Sequence, residues 1–214
     1  MSDIYRSREL TAITSRWDAR AGSWEDSLED PACHLNEDAA YERFLELARS
    51  TISKRSEFCA NNGVIDAGCG TGLVLQHVVA AFAWGVGVDL SPEMLRVANR
   101  KQIPRATFVR GDCFRLAALC PAAGAVLSRG VLLSHYGAPQ AVDLLRAIKA
   151  VLVRGGFVLL DFLNAPARSR YAHVAANKTY FSRQEISSLA HRAGFRKVQV
   201  LGGSRRRVRL LLGE

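Results

Sequence analysis

The chain has 214 residues, enough for one domain with a substantial core. Its 49% apolar and 23% charged residues exclude a disordered or fibrous chain. No apolar run reaches bilayer length, and Met1 to Arg6 lacks the apolar stretch of a secretory signal, so a cytoplasmic protein without membrane contact is expected.

The formal net charge of +9 is unevenly placed. Residues 1–60 carry 8 basic and 12 acidic side chains, and residues 61–214 carry 21 and 8. The basic part suits an acidic substrate or RNA, or is simply an arginine-rich surface. Cysteines 33, 59, 69, 113 and 120 form no C-x-x-C pair, so free thiols and no metal are expected.

Residues 1–60 are predicted to be a helical N-terminal segment serving as a lid or cap. Ala39, Ala40, Phe44, Leu47 and Ala48 recur at approximately helical spacing, with Asn36 as the cap. Residues 17–30, which include Trp17 and Trp24, are less regular and read as a cover. From residue 61 strands and helices alternate, which predicts a mostly parallel sheet in one domain over 61–214. Strands are predicted at 63–67, 84–89, 106–110, 123–128, 155–163, 196–201 and 206–212. Helices are predicted at about 71–81, 92–101, 114–119, 139–153 and 182–193. Ser91-Pro92-Glu93 is a clean helix start. Arg154-Gly155-Gly156 reads as a helix end opening the next strand.

The stretch Val64-Ile65-Asp66-Ala67-Gly68-Cys69-Gly70-Thr71-Gly72 runs from an apolar strand through alternating glycines into a helix. That layout places a nucleotide-type ligand at the carboxyl end of a strand. Its G-x-G-x-G spacing fits the dinucleotide fingerprint poorly, and no Lys follows as in a P-loop. Asp66 would repel a pyrophosphate and attract a cationic amino acid moiety. Asp89 ends the second strand, nineteen residues past Gly70, where an acidic side chain accepts from both ribose hydroxyls.

The glycine run resembles the first motif of the class I S-adenosylmethionine-dependent methyltransferases, and the resemblance extends over roughly residues 60–201. It implies an α/β fold: a Rossmann-like, seven-stranded, mostly parallel sheet, helices on both faces, and an antiparallel C-terminal hairpin. It implies that the backbone of Ala67, Gly68, Cys69, Gly70 and Gly72 wraps the methionine part of S-adenosylmethionine, with Asp66 helping to hold its amino group. Leu90 and Met94 then line the cleft, Asp112 accepts from the adenine amino group, and the Cys113 N–H meets a ring nitrogen. Ser128 and Arg129 border the methionine part. Arg129 is also a candidate partner for a substrate carboxylate.

Trp24 and Trp17 lie where related enzymes place an aromatic lid, suited to a cation–π contact with the sulfonium. Trp17, Ser134, Tyr136, Tyr171 and Tyr180 are the further candidates for the substrate wall. His135 falls where many small-molecule methyltransferases carry a histidine, and it is either a general base or a structural hydrogen-bonding group. Phe181-Ser182-Arg183-Gln184-Glu185 matches a capping box and needs no catalytic role.

The expected activity is transfer of a methyl group from S-adenosylmethionine to an N or O atom of a small molecule, leaving S-adenosylhomocysteine. The alternatives are an RNA or peptide methyltransferase using the basic face and Arg205-Arg206-Arg207, or a non-methylating relative. Retention of Asp66 and Asp89 disfavours the last. The acceptor and the oligomeric state are not legible.

Overall fold

The structure, a computed structural model, describes residues 3–29, 39–130, 132–171, 178–202 and 207–213, with the side chains of 3–10, 27–29, 170, 171, 207 and 208 outside that description. Seven strands are present: β1 (Gly63–Ala67), β2 (Trp84–Asp89), β3 (Ala106–Arg110), β4 (Ala123–Ser128), β5 (Leu152–Leu163), β6 (Lys197–Leu201) and β7 (Arg207–Gly213). They form one sheet in the order β3-β2-β1-β4-β5-β7-β6. Pairing is parallel from β3 through β5, and β7 runs antiparallel to both β5 and β6. The expected α/β architecture is therefore present. The second strand of the C-terminal pair is internal, slotted between β5 and β6, because its leucines serve both faces.

Every position of β1 and β4 is buried, as parallel strands covered on both sides require. Successive residues feed opposite cores. Ile65, Val126, Val158 and Leu212 pack with Leu144, Leu145 and Ile148 of α8 (Ala138–Ala150) and with Ile186 and Leu189 of α10 (Arg183–Arg192). Val64, Leu127, Leu159 and Leu211 pack on the other face with Phe44 and Ala48 of α3 (Ala40–Ser53) and with Leu75 of α5 (Leu73–Val78). The remaining helices are α1 (Asp3–Asp18), α2 (Trp24–Glu29), α4 (Ser56–Ala60), α6 (Pro92–Arg100), α7 (Leu116–Leu119) and α9 (Arg168–Tyr171). No helix among the described residues is long and apolar enough to cross a membrane.

Several expected boundaries differ. Residues 17–29 are more regular than expected, since Trp17 belongs to α1 and Trp24 begins α2. Helix α8 stops at Ala150, and Leu152 already pairs with Ala123 of β4. The β-branched Val151 and Val153 favour the strand, and Gly155 at φ 79° bends that strand instead of ending the helix. Asn36, the expected cap of α3, lies outside the described residues. The helix instead begins after Ala39, with φ 50° and no side-chain cap.

Because β1 pairs with β2 on one side and β4 on the other, the chain reverses its winding there. A crevice opens at the carboxyl ends of these strands. Phe44 anchors α3 against this part of the sheet and is fully buried. Phe44→Ala is expected to lower stability by about 3–5 kcal/mol, read as a shifted midpoint in urea unfolding.

Candidate functional site

After β1 the backbone passes through the left-handed region at Gly68 (φ 73°), Gly70 (φ 53°) and Gly72 (φ 77°). Side chains are disfavoured there, so alternating glycines are what this turn requires. The loop lies on the end of β2. The N–H groups of Gly68 and Cys69 donate to the Val88 carbonyl at 2.8 and 3.1 Å. The Gly70 N–H donates to one Asp89 oxygen at 2.8 Å, and the Ser91 N–H donates to the other at 2.9 Å. Asp89 thus joins the glycine loop to the start of α6. Such close contact needs a bare Gly87: a Cβ there would stand 2.8 Å from the Cys69 Sγ.

A cleft of about 990 Å³, open to solvent, lies over this loop. Asp66, Gly68, Cys69, Gly70 and Asp89 line its floor. Leu90 and Met94 border it from the β2–α6 junction, and Asp112 and Cys113 from the turn after β3. Ser128, Arg129, His135 and Tyr136 come from the segment after β4. Trp17 and Trp24 cover it from the N-terminal segment, packed edge to face at 5.2 Å.

Asp66 is the electrostatic anomaly. It is buried, and neither carboxylate oxygen has a hydrogen-bond partner among the described residues. Burial, followed by the charge of Asp89, pushes its pKa up to about 8. A cation delivered to this point would restore the ionised form. Asp89 is also raised, again chiefly by burial, with its backbone donors opposing the shift. Burial likewise raises the thiols of Cys69 and Cys113, which keeps both protonated. Cys59, Cys69, Cys113 and Cys120 are free, and Cys33 lies outside the described residues. Among the described residues, no group of three or more His, Cys, Asp or Glu is placed to hold a metal.

The cover is docked through its acids. The Ser91 hydroxyl donates to Asp18, whose same oxygen accepts the Glu93 N–H at 3.3 Å. Lys101 pairs with Glu25. Ser91 also caps α6 by accepting from the Met94 N–H at 3.1 Å.

Several expected site residues do not face the cleft. The Ala67 carbonyl accepts from the Ser128 hydroxyl at 2.6 Å, inside the fold. Gly72 faces β3, where a Cβ would stand 2.7 Å from the Phe108 ring. Ser134 is fully buried and braces the backbone: its hydroxyl accepts from the Leu163 N–H at 2.9 Å. Tyr180 packs against Leu163. The side chain of Tyr171 lies outside the described residues, as do Arg205 and Arg206.

Two residues emerge only from the structure. Tyr41 of α3 lines the cleft with its hydroxyl buried and without a hydrogen-bond partner among the described residues, and the Arg129 guanidinium lies 5.0 Å from its ring. Lys178 meets the His135 ring nitrogens at 2.6 and 3.0 Å. Burial first, then the charges of Lys178 and Arg16, lower the His135 pKa to about 3. Burial, then Arg16 and Arg20, lowers Lys178 to about 8. A neutral His135 of such low basicity is a poor proton acceptor. Neither residue had a sequence signal, since Tyr41 reads as one more helix residue and Lys178 lies forty-three residues from His135.

A family model described as a methyltransferase domain matches residues 64–156. Among curated relatives, the ubiquinone biosynthesis O-methyltransferase of Chromobacterium violaceum is 28% identical over 113 residues, covering 51% of this chain and 48% of the relative. That of Idiomarina loihiensis is 28% identical over 164 residues, covering 75% and 61%. The chain spans about half the length of the first of these relatives. Among solved structures, the magnesium protoporphyrin IX methyltransferase of Synechocystis PCC 6803 with bound SAH superposes with a TM-score of 0.76 at 16% identity. That match covers 95% of this chain and 99% of that one, and shows the shared fold.

Asp66 makes stability depend on pH with a definite sign. Its folded pKa exceeds the unfolded value of about 3.9, so ionisation opposes folding. Its contribution is therefore most favourable below pH 4 and is lost as pH rises toward 8. Between pH 5 and 8, urea unfolding is expected to show a steeper loss of stability for the wild type than for Asp66→Asn, by a few kcal/mol as an order of magnitude.

Proposed function

From the premise that this chain belongs to the class I S-adenosylmethionine-dependent methyltransferases, we propose that it transfers a methyl group to a small-molecule acceptor, at oxygen or nitrogen. The O-methyltransferase names of its curated relatives support oxygen. The observation that carries the reading is the buried, unpartnered Asp66 carboxylate beside the glycine loop. A sulfonium amino acid nucleoside fits this site, because its ammonium group is the cation that Asp66 lacks.

In this reading Asp66 holds the ammonium, and Asp89 faces the ribose while keeping the loop in place. Asp112 and Cys113 border the base. Arg129 and Tyr41 border the amino acid end, where a guanidinium and a hydroxyl suit a carboxylate. Residues 1–60 act as the lid, and Trp17 and Trp24 exclude water from the reacting groups. S-adenosylmethionine supplies an activated methyl group on a sulfonium, so the protein's task is mainly alignment. With His135 neutral and weakly basic, the acceptor is one whose reacting atom is already a good nucleophile or loses its proton readily.

Calorimetry with S-adenosylmethionine and S-adenosylhomocysteine tests this reading, and absence of binding by both would reject it. Asp89→Ala is expected to weaken binding about a hundredfold, roughly 2.7 kcal/mol, since it removes the loop tether and the ribose acceptor together. At pH 7, titration in buffers of different ionisation enthalpy should show release of about one proton by the wild type and little by Asp66→Asn.

A further inference from the structure

Next to His135, which lines the cleft, the charge is the reverse of that at Asp66. The N–H of Thr179 donates to the Ser134 carbonyl at 2.8 Å, and the N–H of Phe181 donates to the Leu163 carbonyl at 2.9 Å. These bonds fix the segment after residue 178 along the end of β5. They bring Lys178 directly against His135. Arg16 lies in the last turn of α1 and Arg20 in the turn that follows it, with the Arg20 guanidinium 5.8 Å from the centre of the Trp17 ring.

Among the described residues, no carboxylate pairs with Lys178. Lys178 hydrogen-bonds, again among the described residues, to the ring of His135 alone. The charges acting on Lys178 are those of Arg16 and Arg20, both repulsive. In the covering segment Asp18 is engaged with Ser91 and Glu25 with Lys101. A half-buried ammonium flanked by two guanidinium groups is stabilised by an anion. The adjoining wall is aromatic and apolar: Trp17, Leu132, and Tyr136, which Phe114 holds edge to face at 5.0 Å.

We propose that Lys178, assisted by Arg16 and Arg20, binds a carboxylate or phosphate carried by a flat, largely apolar methyl acceptor, which rests on the wall of Trp17, Leu132 and Tyr136. The proposal rests on the reading of this cleft as a methyltransferase site, and it names the acceptor's class: an aromatic or similarly flat anion. Lys178 would set specificity by its charge. His135 would position that ammonium without taking a proton itself.

The test uses benzoate, phenyl phosphate and benzamide as probes, followed by calorimetry and tryptophan fluorescence. Each is titrated into the full chain, with and without saturating S-adenosylhomocysteine. At least one of the two anions is expected to bind tenfold or more tightly than neutral benzamide, and the tighter anion identifies the acidic group. Lys178→Met should abolish that preference and Lys178→Arg should retain it, while S-adenosylhomocysteine affinity and the circular dichroism spectrum stay those of the wild type. Equal binding of benzamide and the anions, no anion binding at all, or an unchanged preference in Lys178→Met would overturn the proposal. Failure of the wild type to bind S-adenosylhomocysteine would instead reject the methyltransferase reading, and the titrations without it still decide the anion site.

Discussion

The Asp66 carboxylate sits at the end of β1 with both oxygens unpartnered among the described residues, and the nearby charge of Asp89 raises its proton affinity further. Removing a lone carboxylate from water is expensive, so without a cation the group stays protonated over much of the neutral range. The two acids have been given opposite treatment. Asp89 receives the backbone donors of Gly70 and Ser91, and its position fixes the loop. Asp66, buried beneath the same loop, receives none. The site therefore contains one carboxylate held by backbone donors and one buried without a partner among the described residues.

That arrangement depends on close backbone packing, which explains the glycines on neighbouring strands and turns. Three positive-φ glycines shape the loop, and a bare Gly87 on β2 leaves room for the side chains of Cys69 in that loop and Phe108 on β3. The N-terminal segment completes the cleft by a division of charge. Asp18 and Glu25 bind it to α6, while Arg16 and Arg20 act on the opposite side, toward His135 and Lys178.

The strands were legible because a sheet buried on both faces writes itself as short apolar runs closed by turn residues. The predicted bounds of β1 through β4 coincide with the observed ones. The end of α8 was less legible, because Arg154-Gly155-Gly156 suits a helix stop as well as a strand bend. The floor of the cleft was readable because Asp66, the glycines and Asp89 are fixed by local spacing. The cover and mouth were not. Tyr41 reaches the cleft only through the packing of α3. Lys178 reaches His135 only because the backbone of Thr179 pairs with Ser134. Ser134 and Tyr180 were misplaced as cleft residues for the same reason, since spacing along a loop does not reveal which side chains turn inward.

The charges run from acidic at Asp66 and Asp89, on the floor of the cleft, to basic at Lys178 beside the lining residue His135, with Arg16 and Arg20 acting on Lys178. In the proposed reaction this gradient would orient two ligands at once. An ammonium is drawn to one end and an anionic acceptor to the other, so the methyl group and its acceptor meet between them. The same cations that lower the basicity of His135 also stabilise a nearby oxyanion, which lowers the pKa of an acceptor hydroxyl. A site of this kind favours loss of the acceptor's proton through its electrostatic field, and a strongly basic side chain is unnecessary. Burial is the larger cause of the weak basicity of His135, and the charges of Lys178 and Arg16 add to it.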